Sequence, residues 1–391
     1  AGLWLGSESP TYDVELDLKR ADLSALQINK RDSVSVLSAN IGIEAYGTIP
    51  EELNGELSVA NARYQYNNKE VTAEHIAITM ESNEDIHEFE LSSDFADVIF
   101  RSCDDYKDVW AYLKDMVGQY LPLLDEVKSS ANGVTLAANC RNGAEHNSSS
   151  LLLTTKSINP IADAVVRGLQ IADGTSVQVQ FNPMTKYFDL QAHSDFIERE
   201  RLLVMNLMLD VSNKEKDSLV AKFNAEDFYM GTLHFPGLAV RGGVKDNFID
   251  LSARFRDAVK SSSGNIGLGL RLKRNAQTNE RSVDISFLPS RFERDGARWN
   301  IYAQRIEADS SRILIDNFTV RNGLQSLVVD GVASRSRKDS LTLRLNDFDL
   351  SPLLQVTERI GYIIDGKTNG YASVKSALKG SEIDADIMLD S

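Results

Sequence analysis

LTLRLNDFDL, residues 341–350, opens in strict alternation: Leu341, Leu343 and Leu345 are apolar, and Thr342 and Arg344 between them are polar. Successive side chains of an extended strand point to opposite faces, so this stretch reads as a β-strand with one apolar and one wet face. The same pattern recurs in Val14, Leu16, Leu18; in Ile76, Ile78, Met80; in Val134, Leu136, Ala138; and in Val177, Val179, Phe181. It returns in Leu203, Met205, Leu207; in Leu268, Leu270, Leu272; and in Val283, Ile285, Phe287. Roughly 18 such runs, separated by turns rich in Asn, Gly and Asp, predict a mainly β fold of antiparallel strands.

The opening stretch has an echo. LDLKRADLSAL (16–26) and LRLNDFDLSPL (343–353) share the order Leu-x-Leu-x-x-x-Asp-Leu-Ser-x-Leu. A second repeat pairs Asn159-Pro160 with Ser351-Pro352, 192 residues further on; each opens an apolar segment that closes at an Asp-Gly, Asp173-Gly174 or Asp365-Gly366. A polar residue followed by Pro suits the N-cap and first turn of a helix, so 158–173 and 350–365 read as repeated helical stitches capped by Asn159 and Ser351. Looser versions run from Pro122 to Asn132-Gly133 and from Pro50 to Asn54-Gly55, with Asn-Gly as the turn into the next strand. A repeated strand–stitch–turn–strand unit predicts one elongated segment over residues 1–391.

The main helix expected is 105–126. Trp110, Leu113, Met116, Val117, Tyr120, Leu121 and Leu124 recur at spacings of three and four and make it amphipathic, and Pro122 should kink or end it near Leu121. Open twisted sheets rarely exceed ~10 strands, so a chain with this many must curl into a trough or barrel, or split into sandwiches. Alternation alone serves a groove and a sandwich equally well.

Composition narrows the function. Lys+Arg 42 against Asp+Glu 57 gives a net charge of −15, with no long basic run, which argues against nucleic acid as a partner. No apolar run reaches the ~18 residues of a membrane span. Cys103 and Cys140 either pair in an oxidising compartment or are buried thiols. The five histidines include no i,i+4 pair for zinc, and GNIGLG (264–269) lacks the Lys-Ser/Thr and following helix of a phosphate loop. No enzyme, cofactor or metal site is expected.

LTLRLNDFDLSPLLQV (341–356), DGKTNGYASVKSALKGSEIDADIMLDS (365–391) and SDFADVIFRSCDDYKDVWAYLKDMVGQYLPLL (93–124) resemble the TamB family of bacterial envelope proteins, in a Bacteroides-type version. The likeness rests on repeat grammar: the Asp-Leu-Ser-Pro-Leu-Leu phrase, a Gly-x-Ala-x-Val strand after Asn-Gly, and a closing strand that ends in Asp. It implies an AsmA-like, bridge-type protein of the Gram-negative periplasm, tethered to the inner membrane by an N-terminal anchor that this chain lacks. It further implies an elongated antiparallel sheet curled into a hydrophobic groove (a β-taco) that carries phospholipids toward the outer membrane. The partners implied are phospholipids and, in outer-membrane protein assembly, a TamA-like barrel.

On that reading the groove is lined by Val177, Val179, Phe181, Leu203, Met205, Leu207, Leu268, Leu270, Leu272, Val283, Ile285, Phe287, Leu341, Leu343 and Leu345. Trp110, Leu113, Val117 and Leu121 of the helix are the candidates to cover it. The alternative is a scaffold whose open sheet edges capture strands of outer-membrane proteins by β-augmentation.

Overall fold

The computed structural model describes residues 2–4, 10–30, 32, 34–47, 53–83, 86–104, 106–125, 148–183, 185–214, 218–231, 233–257, 262–274, 279–294, 296–349 and 366–390. The strand expected at 134–138, the second stitch at 350–365 and Cys140 lie outside them. The chain forms two compact units, Ala1–Val117 with Ser130–Lys216, and Gly118–Ser129 with Asp217–Ser391. Both are built from antiparallel strands, so the mainly β expectation holds.

The first unit contains β1 (Gly2–Trp4), β2 (Thr11–Asp22), β3 (Ser35–Tyr46), β4 (Asn54–Tyr66), β5 (Lys69–Ser82), β6 (His87–Ser93) and β7 (Ala96–Ser102). Helix α1 (Tyr106–Tyr120) follows; its residues up to Val117 belong to this unit, while those from Gly118, with α2 (Pro122–Asp125) beyond the break at Leu121, belong to the second. The first unit continues with β8 (Ser149–Thr155), α3 (Asn159–Val165), β9 (Leu169–Ile171), β10 (Ser176–Asn182), β11 (Tyr187–Arg199) and β12 (Leu202–Ser212). Consecutive strands pair from β1 to β8; β8 then pairs β10, β10 pairs β11, and β11 pairs both β9 and β12.

The second unit contains β13 (Leu219–Met230), β14 (Leu233–Lys245), β15 (Phe248–Asp257), β16 (Ser262–Arg274), β17 (Arg281–Phe287), β18 (Ser290–Arg294) and β19 (Ala297–Tyr302). It ends with β20 (Arg305–Asp309), β21 (Arg312–Asn322), β22 (Gln325–Ser334), β23 (Ser340–Asp349), β24 (Lys367–Lys375) and β25 (Glu382–Asp390). Between β16 and β21 the ladder divides: β17–β20 bridges one half of their length and β18–β19 the other. GNIGLG lies inside β16, as its alternation indicates.

The echo marks a shared irregularity. In β2 the pairing register shifts between Leu18 and Ala21, and in β23 between Leu345 and Phe348, the same place in the two matched phrases. β21 shifts likewise between Ile315 and Phe318. In each strand the apolar spacing of two becomes a spacing of three, which on a plain strand would send the next apolar side chain to the wet face. A β-bulge absorbs the extra residue and returns Ala21, Phe318 and Phe348 to the apolar face.

In β21 and β23 the bulge is made by an Asx residue at positive φ, Asn317 (50°) and Asp347 (45°). Asx residues tolerate this left-handed conformation better than other side-chain-bearing residues. The next strand supplies an Asx-Gly pair that completes the device. The Asn317 N–H donates to Asp330 Oδ2 (3.1 Å), and the Asp347 N–H donates to Asn369 Oδ1 (2.8 Å). Gly331 and Gly370, which follow, take φ of 117° and 149°, and a Cβ there would stand 2.3 and 2.2 Å from the carbonyl oxygens of Ser340 and Asp386. Asn369-Gly370 and Asn54-Gly55 are therefore in-strand positions of β24 and β4, and Asn54-Gly55 is not the turn expected of it. Asp173-Gly174 is a turn, as expected.

Candidate functional site

Directly opposed residues of neighbouring strands share a face. In the first unit one such row crosses ten strands and is apolar at every step: Val14, Ile43, Leu57, Ile78, Leu91, Val98, Leu153, Val177, Ala192 and Leu209. A flanking row on the same face runs through Met80, Phe89, Phe100, Leu151, Val179, Leu190 and Val211. The opposite face begins Asp13, Glu44, Glu56, Thr79, Glu90 in the corresponding register. One face is apolar across the unit and the other is largely charged or polar.

Helices sit at both ends of this apolar face. α1 buries Val109, Tyr112 and Met116, with the Tyr112 ring stacked on Phe181 at 5.7 Å and its hydroxyl donating to the Tyr187 carbonyl. Leu113 and Leu121 are half-buried; the side chains of Trp110 and Val117 are outside the described residues. At the other end, Ile161 and Ala164 of α3, with Ile158 before it, pack against Tyr66, Val71, Ala73 and Phe95. Asn159 does not cap α3: the N-cap is Ile158, and Asn159 Oδ1 accepts the Ile171 N–H of β9 at 2.7 Å. The side chain is used to tie the stitch to the sheet.

A polar latch holds α3. Asp163 Oδ2 accepts from Lys69 and from the Tyr66 hydroxyl (2.9 Å), and Oδ1 accepts the Gly168 N–H (3.0 Å). The Lys69 ammonium, then the Gly168 N–H and the Tyr66 hydroxyl, hold the Asp163 carboxyl down at about 2. Burial, with the Asp163 charge beside it, pushes the Tyr66 phenol up to about 12. Just past the helix, Arg167 Nη2 donates to the fully buried Asp32 carboxylate at 3.0 Å, which also accepts from Asn67 (2.8 Å) and Asn29 (3.1 Å). Three segments far apart in sequence are thus joined at one end of the apolar face.

In the second unit a row crosses eleven strands: Leu219, Val244, Ile249, Leu270, Ile285, Ile306, Ile315, Gly331, Leu341, Val374 and Ile383. Leu343, Leu345 and Phe348 belong to the same face and pack with Trp299, Phe292, Val320 and Leu327. Phe287 lies 5.5 Å from Phe318, ring to ring. At the far end of this unit Asn247 receives the Leu123 N–H (2.9 Å) and donates its own N–H to the Tyr120 carbonyl (3.0 Å).

Of the residues expected to line a groove, Val179, Phe181, Leu207 and Leu345 are buried. Val177, Leu203, Leu268, Leu270, Leu272, Val283, Ile285, Phe287, Leu341 and Leu343 are only half-buried. Met205 is 39% exposed while Val204 is 5% exposed. Asn206 between them and Leu207 takes φ 47°, so burial along β12 steps from Leu207 to Val204.

Cys103 is buried and disulfide-bonded. Among the described residues no group of three His, Cys, Asp or Glu is placed to hold a metal ion, and no helix is long and apolar enough to cross a membrane. The chain matches no protein-family model, no curated protein and no solved structure.

Proposed function

We propose that the chain is a noncatalytic lipid-binding segment whose apolar sheet faces curl into a groove for phospholipid acyl chains, in the manner of the TamB-like envelope proteins its phrases resemble. The observation that carries this reading is the pair of unbroken apolar rows, ten and eleven strands across, most of whose members stay half open to solvent. In a closed sandwich such residues bury each other. An acyl chain laid along either row gains about 0.8 kcal/mol for each CH₂ removed from water. A disulfide at Cys103 supports an oxidising compartment such as the periplasm, and with it a role in lipid transport to the outer membrane.

The test is mass spectrometry of organic extracts of the purified chain beside an equally acidic control protein. The parent is expected to carry stoichiometric phospholipid, and Leu270→Asp and Ile285→Asp each to lose the share held by the second unit while keeping a β circular-dichroism spectrum. A lipid-free extract from well-folded parent chain would overturn the reading.

A second reading, a scaffold that captures strands of outer-membrane proteins for a TamA-like barrel, is favoured by one observation. β25 pairs with β24 and, among the described residues, with no other strand, and it exposes Ile383, Ile387 and Met388. An edge of that kind is a template for a further strand.

A further inference from the structure

The polar face of the second unit gathers arginines that are scattered in sequence. Arg254 on β15 stands directly opposite Asn265 on β16, Asn265 opposite Arg291 on β18, Arg291 opposite Asn300 on β19, and Asn300 opposite Arg321 on β21. The result is a transverse Arg–Asn–Arg–Asn–Arg row. The neighbouring row of the same face runs Arg256, Ser263, Glu293, Arg298. Arg254, Arg256, Arg291 and Arg298 line a concavity of about 540 Å³ together with Asn265, Glu293, Gly237 and Ala239 and with Phe255 and Phe292 of the adjoining apolar rows.

Several arginines of this acidic chain pair with carboxylates, as Arg101 with Glu88, Arg312 with Asp309 and Arg337 with Glu382. In the concavity the one ion pair is Arg298–Glu293 at 3.8 Å; among the described residues no carboxylate pairs with Arg254, Arg256 or Arg291. Three exposed arginines with no ion pair of their own among the described residues thus share the concavity with a single carboxylate, Glu293, in a protein of net charge −15. Guanidinium presents a planar fork of donors that fits phosphoryl oxygens two at a time, and Asn265 adds a neutral donor between two of them. Arg254 and Arg291 are two strand spacings apart, roughly 10 Å, so a single ligand bridging them carries more than one anionic oxygen cluster.

We propose that this concavity binds phosphoryl groups, of a phosphorylated headgroup or of a soluble phosphate. The arginines themselves belong to the rows of polar-face parity, and the test reads phosphate binding rather than extracted lipid, so the proposal stands or falls apart from the groove. Inorganic pyrophosphate is titrated into the full chain by calorimetry at low salt, and flotation is run with phosphatidylcholine vesicles with and without phosphatidic acid. Saturable pyrophosphate binding that weakens about tenfold or more in Arg254→Gln/Arg291→Gln, and not in the charge-matched control Arg305→Gln/Arg312→Gln, is the expected result. Pyrophosphate binding together with Arg254- and Arg291-dependent flotation on phosphatidic acid assigns the site to a headgroup, and pyrophosphate binding alone assigns it to a soluble phosphate. No pyrophosphate binding by the parent, or equal weakening in both double variants, overturns the proposal.

Discussion

Asp163 shows how much one carboxylate organises. Its two oxygens take the Lys69 ammonium, the Tyr66 hydroxyl and the Gly168 N–H, fastening α3 to the β4–β5 hairpin. Its folded pKa of about 2 lies below the ordinary 3.8, so the stabilisation is complete above about pH 4 and is lost as pH falls through 2. Lys69 is largely exposed, which limits the latch to about 1–2 kcal/mol. Asp163→Asn is expected to lower stability by that amount in urea melts at pH 7, and the gap to the parent should close as pH approaches 2. The Tyr66 phenol has the opposite sign: raised to about 12 from 10.0, it stabilises below pH 10 and ceases to do so as pH rises through 12. Tyr66→Phe should therefore cost about 1 kcal/mol at pH 7 and flatten the alkaline limb of the stability profile.

Among the elements, the bulged strands β21 and β23 carry the argument. Each depends on an Asx residue in the left-handed region and on an Asx-Gly pair across the ladder. Gly331→Ala and Gly370→Ala would drive a methyl group into a backbone carbonyl, and each is expected to destabilise by more than 2 kcal/mol. Gly323→Ala, at a hairpin tip with open space around it, should lose only about 1 kcal/mol. Equal losses at all three sites, read from denaturant midpoints, would show that the in-strand glycines have no special role. The phrase that repeats at 16–26 and 343–353 was readable as a repeat, and its spacing of two then three is the trace of the bulge. The bulge itself was not readable, because a spacing of three is also what a turn or a break in pattern produces.

For the molecule as a whole, each unit carries its own apolar row, so the proposed lipid binding predicts a load divided between them. Leu57→Asp in the first unit and Leu270→Asp in the second are each expected to remove part of the phospholipid recovered by extraction, and the double variant all of it. Loss of the entire load from Leu57→Asp alone would instead place all lipid in the first unit. Tyr112→Ala, which removes the ring that covers Phe181, should raise uptake of a hydrophobic dye without changing the β spectrum. An unchanged uptake would mean that α1 does not limit access to that face.

Alternation by itself determined that the chain is β, and Pro122 that the main helix kinks or ends near Leu121, because these are properties of a few consecutive residues and of backbone sterics; which residues share a face followed from alternation only where no bulge intervenes. The position of Asn159 at the head of a helix was legible too, but not the use of its side chain, which found a better partner in β9 than in the helix. What pairing across strands decided lay out of reach of any local pattern. Leu270 and Ile285 become neighbours, Arg167 meets Asp32, and Arg254, Arg291 and Arg321 fall into one row through register alone. Register is set by the sum of many weak cross-strand preferences and by where each bulge inserts its extra residue, so one side chain's place depends on residues tens of positions away.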